Sequence, residues 1–117
     1  MDGRTSSRVE LLQGTLDLLI LRTLLFGPSH GHAIAKHIQK TSEDLLLVET
    51  GSLYPALHRL EARGLISASW NHSDRGKRAR YYQLTKQGRK ELTAAQKRWD
   101  TFSRAMGLVL RPIDQDV

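Results

Sequence analysis

Seven basic side chains crowd the stretch 72–90: Arg75, Lys77, Arg78, Arg80, Lys86, Arg89 and Lys90, with Asp74 the one acidic residue among them. The chemistry open to such a cluster is neutralisation of phosphates or of another polyanion. The whole chain carries 18 Lys+Arg against 12 Asp+Glu, a formal charge of +6, so this stretch holds the entire excess. A neutral body with one basic feature is the footprint of a polyanion binder. A solvated basic face is the plainer alternative, and charge alone leaves both open.

Histidines form the second candidate group. His30, His32 and His37 lie close in sequence. On a helix His30 and His32 point to different faces, and no cysteine or carboxylate completes a tetrahedral set, so no metal is expected. The 117 residues include no cysteine. That excludes disulfides, Cys-ligated zinc, iron–sulfur chemistry and thiol catalysis, and it suits a reducing cytoplasm, the expected location. No nucleophile motif, phosphate-binding glycine loop or carboxylate pair is visible, so neither an enzyme nor a cofactor is expected. Aromatic residues make up 6%, too few to favour stacking of single-stranded bases. The apolar run 16–26 is broken by Asp17 and Arg22 and is too short to span a bilayer. No secretory leader and no membrane association are expected.

The elements that position these residues follow from periodicity. Residues 9–26 carry Val9, Leu12, Leu16, Leu19 and Ile20 on one face, and Leu11, Leu18, Leu21 and Leu25 on a second. A helix apolar on two sides is buried on two sides, here against its own core and a partner subunit. Gly27-Pro28 stops it. Ser29 is the expected cap of a second helix, about 30–41. After a connection over 42–50, Thr50 or Ser52 starts a third helix to about Arg63, with Gly64 as its stop. Leu53, Leu57 and Leu60 face inward on it, and Pro55 requires that the helix start close before it. Ile66, Ala68 and Trp70 alternate with serines as a strand, with Trp70 expected to pack beneath the hairpin. Residues 71–77 turn, and 78–84 return. Thr85 caps a last helix, about 86–108, ended by Gly107 and Pro112. On it Leu92, Ala95, Trp99, Phe102, Met106 and Val109 step by three and four, a heptad seam suited to a dimer-forming arm.

The order helix, helix, helix, hairpin, helix is that of a winged helix-turn-helix, mainly α with a small β-hairpin. Its third helix fits the major groove and its hairpin can lay cations on phosphates or in the minor groove. The chain therefore divides into a disordered tail (1–8), a winged-helix DNA-binding domain (9–85), a C-terminal dimerisation helix (86–110) and a frayed end (111–117). A protein-interaction module, its basic wing meeting an acidic partner, is the competing function.

The segments HGHAIAKHI, ETGSLYPALHRLEARGLI and RARYYQLTKQGR resemble those of the PadR family of bacterial transcriptional regulators, from about Leu11 to Trp99. The start LLQGTLDLLILRTL is similar to a subgroup described from acidobacteria, with a short C-terminal helix. The resemblance implies a homodimer on a palindromic operator in double-stranded DNA, usually repressing its own or nearby genes. It places Ser52, Tyr54, Pro55, His58 and Arg59 in the recognition block. Arg59 is the candidate base reader, or else a surface charge paired with Glu61 or a neighbour. Ser52 and Tyr54 are placed for phosphate, though Tyr54 also suits packing. Lys36 is set to reach the backbone, and Arg75, Lys77 and Arg78 are wing contacts, while Arg80 suits solvation of the hairpin's outer face. His32 stands where the family often carries tyrosine, so a phosphate contact by that hydroxyl does not carry over; the position stays a DNA-binding candidate. Leu11, Leu18, Leu92, Ala95, Trp99, Phe102 and Met106 are the candidate dimer interface. In related multidrug regulators a tryptophan at the place of Trp99 stacks on flat ligands. A small aromatic effector is therefore one reading of Trp99, and a packed dimer tryptophan is the other.

Overall fold

A computed structural model describes residues 13–72 and 76–113. The predicted candidates Leu11 and Arg75, the tail 1–8 and residues 114–117 lie outside the described residues. The elements run α1 (Gln13–Leu24), β1 (Ser29–His30), α2 (Gly31–Thr41), α3 (Thr50–Ala62), β2 (Ile66–His72), β3 (Arg78–Leu84) and α4 (Lys86–Val109). The strands form an antiparallel sheet in the order β1-β3-β2. This is the predicted class: mainly helical, with a small hairpin.

The core gathers one stripe from each helix. Leu16, Ile20, Leu21 and Leu24 of α1 meet Ile34 and Ile38 of α2, Leu53, Leu57 and Leu60 of α3, and Ile66, Tyr82 and Leu92. Leu21 belongs to the second stripe of α1, so much of that stripe is already used by the chain's own core, with Leu18 and Leu25 half-buried beside it. Each such leucine or isoleucine contributes about 1.5–3 kcal/mol on burial.

Two boundaries differ from expectation for local reasons. His30, not Ser29, caps α2: its Nδ1 accepts from the Ala33 amide at 3.2 Å. Ser29 is drawn instead into β1, opposite Tyr82. This third strand is too short to show any periodicity. α3 starts at Thr50, one of its two expected starts, which puts Pro55 in its second turn. Position 51, four residues before that proline, is a glycine. α4 runs through Gly107 to Val109 and is capped by Leu110, before Pro112. Trp70 is a fuller correction: it is 57% exposed and does not pack beneath the hairpin. The wing outruns the core there.

One close approach joins the elements. A methyl at Gly88 would overlap the Leu65 carbonyl oxygen, so only glycine lets α4 begin this near the end of α3. Gly88→Ala is expected to lower unfolding stability in urea by about 3 kcal/mol or more. Gly51→Ala, which meets open space, is expected to stay within about 1 kcal/mol of the parent. Equal midpoints for the two variants would show that the junction yields. Tyr82 supplies a second test. Burial pushes its hydroxyl pKa above 10.0, with Glu61 and Tyr54 adding and Arg80 opposing. The unfolded chain then ionises first, so this contribution is intact below about pH 10 and is lost as pH climbs through the folded value. Stability is expected to fall more steeply above pH ~10 in the parent than in Tyr82→Phe.

Candidate nucleic-acid interface

α3 divides cleanly into two faces. Leu53, Ala56, Leu57 and Leu60 are buried, while Ser52, Tyr54, Pro55, His58 and Arg63 are exposed. The helix enters without a side-chain cap, its first amides at Ser52 and Leu53 turning back to the Glu49 carbonyl at 3.0 and 2.9 Å. Four predicted residues, Ser52, Tyr54, Pro55 and His58, thus share the outward side.

Arg59 does not join them. Its Nη2 binds Asp17 Oδ1 on α1 at 2.9 Å, and its Nε is buried without a partner. Glu61, the neighbour considered for it, instead binds Arg80 of β3 at 2.7 Å. Arg80 is therefore not a solvated outer-face charge. It ties the wing to α3. These two ion pairs brace the outward helix from both sides, one to α1 and one to the hairpin. In the sequence Asp17 reads only as a break in an apolar run, because its partner lies 42 residues away and no local spacing signals it.

Beside α3 stands the start of α2. His32 and Lys36 are exposed and, with Thr50 and Tyr54, line one cleft between α2 and α3. Tyr54 combines its two readings: it is 39% exposed, yet its hydroxyl end packs over Gly31, where any side chain would collide with it. The rings of His30 and His32 do not diverge. They stack with centroids 6.4 Å apart, because His30 is an extended cap residue and not part of the helix. His30 also meets Tyr81 edge-on at 5.3 Å. Among the described residues no group of three or more His, Cys, Asp or Glu could hold a metal.

On the wing, Lys77 and Arg78 are exposed, and the Arg78 guanidinium lies 4.7 Å from the centre of the Trp70 ring. Along α4 the seam splits. Leu92 is buried in the chain's own core and Ala95 is half-buried, whereas Trp99, Phe102 and Met106 are 42%, 56% and 42% exposed. No helix among the described residues is long and apolar enough to cross a membrane.

Known proteins resemble the chain at this level. Residues 20–94 match the model of the Transcriptional regulator PadR-like family. A transcriptional regulator from Clostridium thermocellum is 27% identical with a TM-score of 0.77, over 85% of this chain and 96% of that one. A PadR family transcription regulator from Clostridium difficile is 31% identical with a TM-score of 0.70, over 81% and 97%. An uncharacterised protein of Lysinibacillus sphaericus is 25% identical over 107 residues, 92% of this chain and 98% of its own.

The two braces differ in burial, and that difference is measurable. Side-chain exposure is 34% and 16% for Arg59 and Asp17, against 39% and 31% for Arg80 and Glu61. A double-mutant cycle on Asp17/Arg59 is expected to give a coupling of about 1–2 kcal/mol, and one on Glu61/Arg80 less than about 1 kcal/mol. The reverse ranking would show that burial does not govern them.

Proposed function

We propose that this chain, which belongs to the Transcriptional regulator PadR-like family, acts as a homodimeric repressor on a palindromic operator of its own or neighbouring genes. Membership makes it a DNA-binding transcriptional regulator and not an enzyme. The observation that carries the finer reading is the outward face of α3, with Ser52, Pro55 and His58 free, held beside a basic wing by the Arg80–Glu61 pair.

In this reading α3 enters the major groove. Ser52 and His58 approach base edges or phosphate, and Tyr54, His32 and Lys36 follow the backbone beside it. Lys77 and Arg78 extend the grip along the wing. Arg59 reads guanine only if it leaves Asp17, so in the folded monomer its part is bracing. Trp99, Phe102 and Met106 pair with a second copy, setting two half-sites about one helical turn apart. Repression is steric. A planar aromatic effector lodged at Trp99 would release it by changing the setting of the two reading helices.

Fluorescence anisotropy on labelled duplex from the region upstream of the coding sequence, against scrambled duplex at several salt concentrations, tests this. Tighter binding to the upstream duplex is expected, with sedimentation giving a dimer. Lys77→Ala is expected to weaken both duplexes alike and flatten the log–log salt slope by about 0.9. His58→Ala is expected to erase the preference and leave the slope. Equal binding to both duplexes would sink autoregulation. No binding to either at low salt would sink the DNA reading and favour an acidic protein partner.

A further inference from the structure

Arg59 stands at the edge of the outward face of α3 and is turned away from it. It follows Ser52 by seven residues, two helical turns, so the two lie nearly one above the other along the helix. Ser52 is exposed, with Pro55 and His58 beside it. From that edge the Arg59 side chain folds back to α1, where its Nη2 meets Asp17 Oδ1 at 2.9 Å. Its Nε is buried and meets no acceptor among the described residues. A bidentate grip on the O6 and N7 of guanine takes two adjacent guanidinium nitrogens. With Nη2 on the carboxylate and Nε turned inside, Nη1 alone is left over, and one nitrogen makes no such pair.

Asp17 is suited to this hold. Its side chain is only 16% exposed, so salt and water screen it little. Magnitudes decide the contest between carboxylate and base. A hydrogen bond to a charged partner favours the closed arrangement by about ten- to 150-fold. A bidentate arginine discriminates guanine from another base by about five- to 150-fold. The two effects are of one size. Swinging out to guanine and giving up Asp17 therefore nearly cancel, and the preference vanishes while the carboxylate is in place. Without the carboxylate, the preference returns in full.

We propose that Asp17 is a specificity-determining residue that touches no DNA. By holding Arg59 back, it removes a guanine requirement that α3 would otherwise impose on each half-site. Asp17 is thus a positioning residue that acts through Arg59. The inference rests on the DNA-binding reading above and gives α1, which that reading leaves in the scaffold, a part in the choice of operator.

Selection from a random duplex library tests this with the full-length parent, Arg59→Gln, Asp17→Asn, Asp17→Ala and the double variant Asp17→Asn/Arg59→Gln. Parent and Arg59→Gln are expected to enrich the same two-fold core, with no guanine that depends on residue 59. Asp17→Asn, which keeps the shape and loses the charge, is expected to add a guanine at one base pair of each half-site, preferred about tenfold. Asp17→Ala, which leaves no acceptor, should add the same guanine at least as strongly. The double variant should lose it again. A brace and nothing more would blur every position of the core alike, and its loss would create no new preference. Circular dichroism checks that each variant is folded, and the isosteric Asp17→Asn keeps the test standing should Asp17→Ala unfold. A guanine in the parent core that Arg59→Gln loses overturns the proposal, because Arg59 then reads with Asp17 in place. So does a defined parent core to which the folded Asp17 variants add no guanine. Both results leave the DNA-binding reading standing. A parent pool with no enriched core overturns both.

Discussion

A single hydroxyl, that of Thr85, stands where three elements meet. It donates to the Gly64 carbonyl at 2.7 Å and accepts the Gly88 amide at 3.0 Å, while the Thr85 amide donates to Leu65 oxygen at 3.1 Å. Gly64 follows the end of α3 in a left-handed conformation, φ 73°. Thr85 closes the wing, and Gly88 opens α4. One side chain thus answers an unpaired amide at the head of one helix and a carbonyl just past the end of another. The outward face of α3, the hairpin and the long helix have a common origin, and the orientation of each is stated relative to the others at this point.

Outward from that origin, charge and packing divide the work. The leucines of α3 settle which of its faces is inside. They do not settle its rotation about the core to within the tolerance that base recognition needs. The ion pairs to Asp17 and Arg80 act on that remaining freedom, each from a different neighbour. Arg80, one of the cations that make the chain look like a polyanion binder, is consequently engaged in holding α3 in place, as is Arg59. Among the exposed cations, Lys36 on α2 and Lys77 and Arg78 on the wing flank α3 on two sides.

Much of this was legible in residue order. The spacing of Leu53, Leu57 and Leu60, the glycine after α3, the alternation in the hairpin and Thr85 as a cap are all local signals, and the structure follows each. What was not legible depended on distance or on extent. Asp17 and Arg59 meet across 42 residues. The alternation of Ile66, Ala68 and Trp70 says which residues share a face but not where the core beneath that face stops, so the period alone places Trp70 in an interior it has left. Two residues of β1 are too few to carry a period, and the histidine cap of α2 is outside the usual set of capping side chains.

The same junction gives α4 an unusual load path. Its 24 residues reach about 36 Å, yet only Gly88 and Leu92, both near its start, are buried. Mechanically it is a cantilever clamped at one end. A tilt of about 5° at the clamp moves the free tip by about 3 Å on that length. Conversely, a force applied near Met106 arrives as a torque at Gly88, where the Leu65 carbonyl leaves no slack to absorb it. The stiffness of that contact, together with the packing of Leu92 in the core, sets how much of the torque reaches α3.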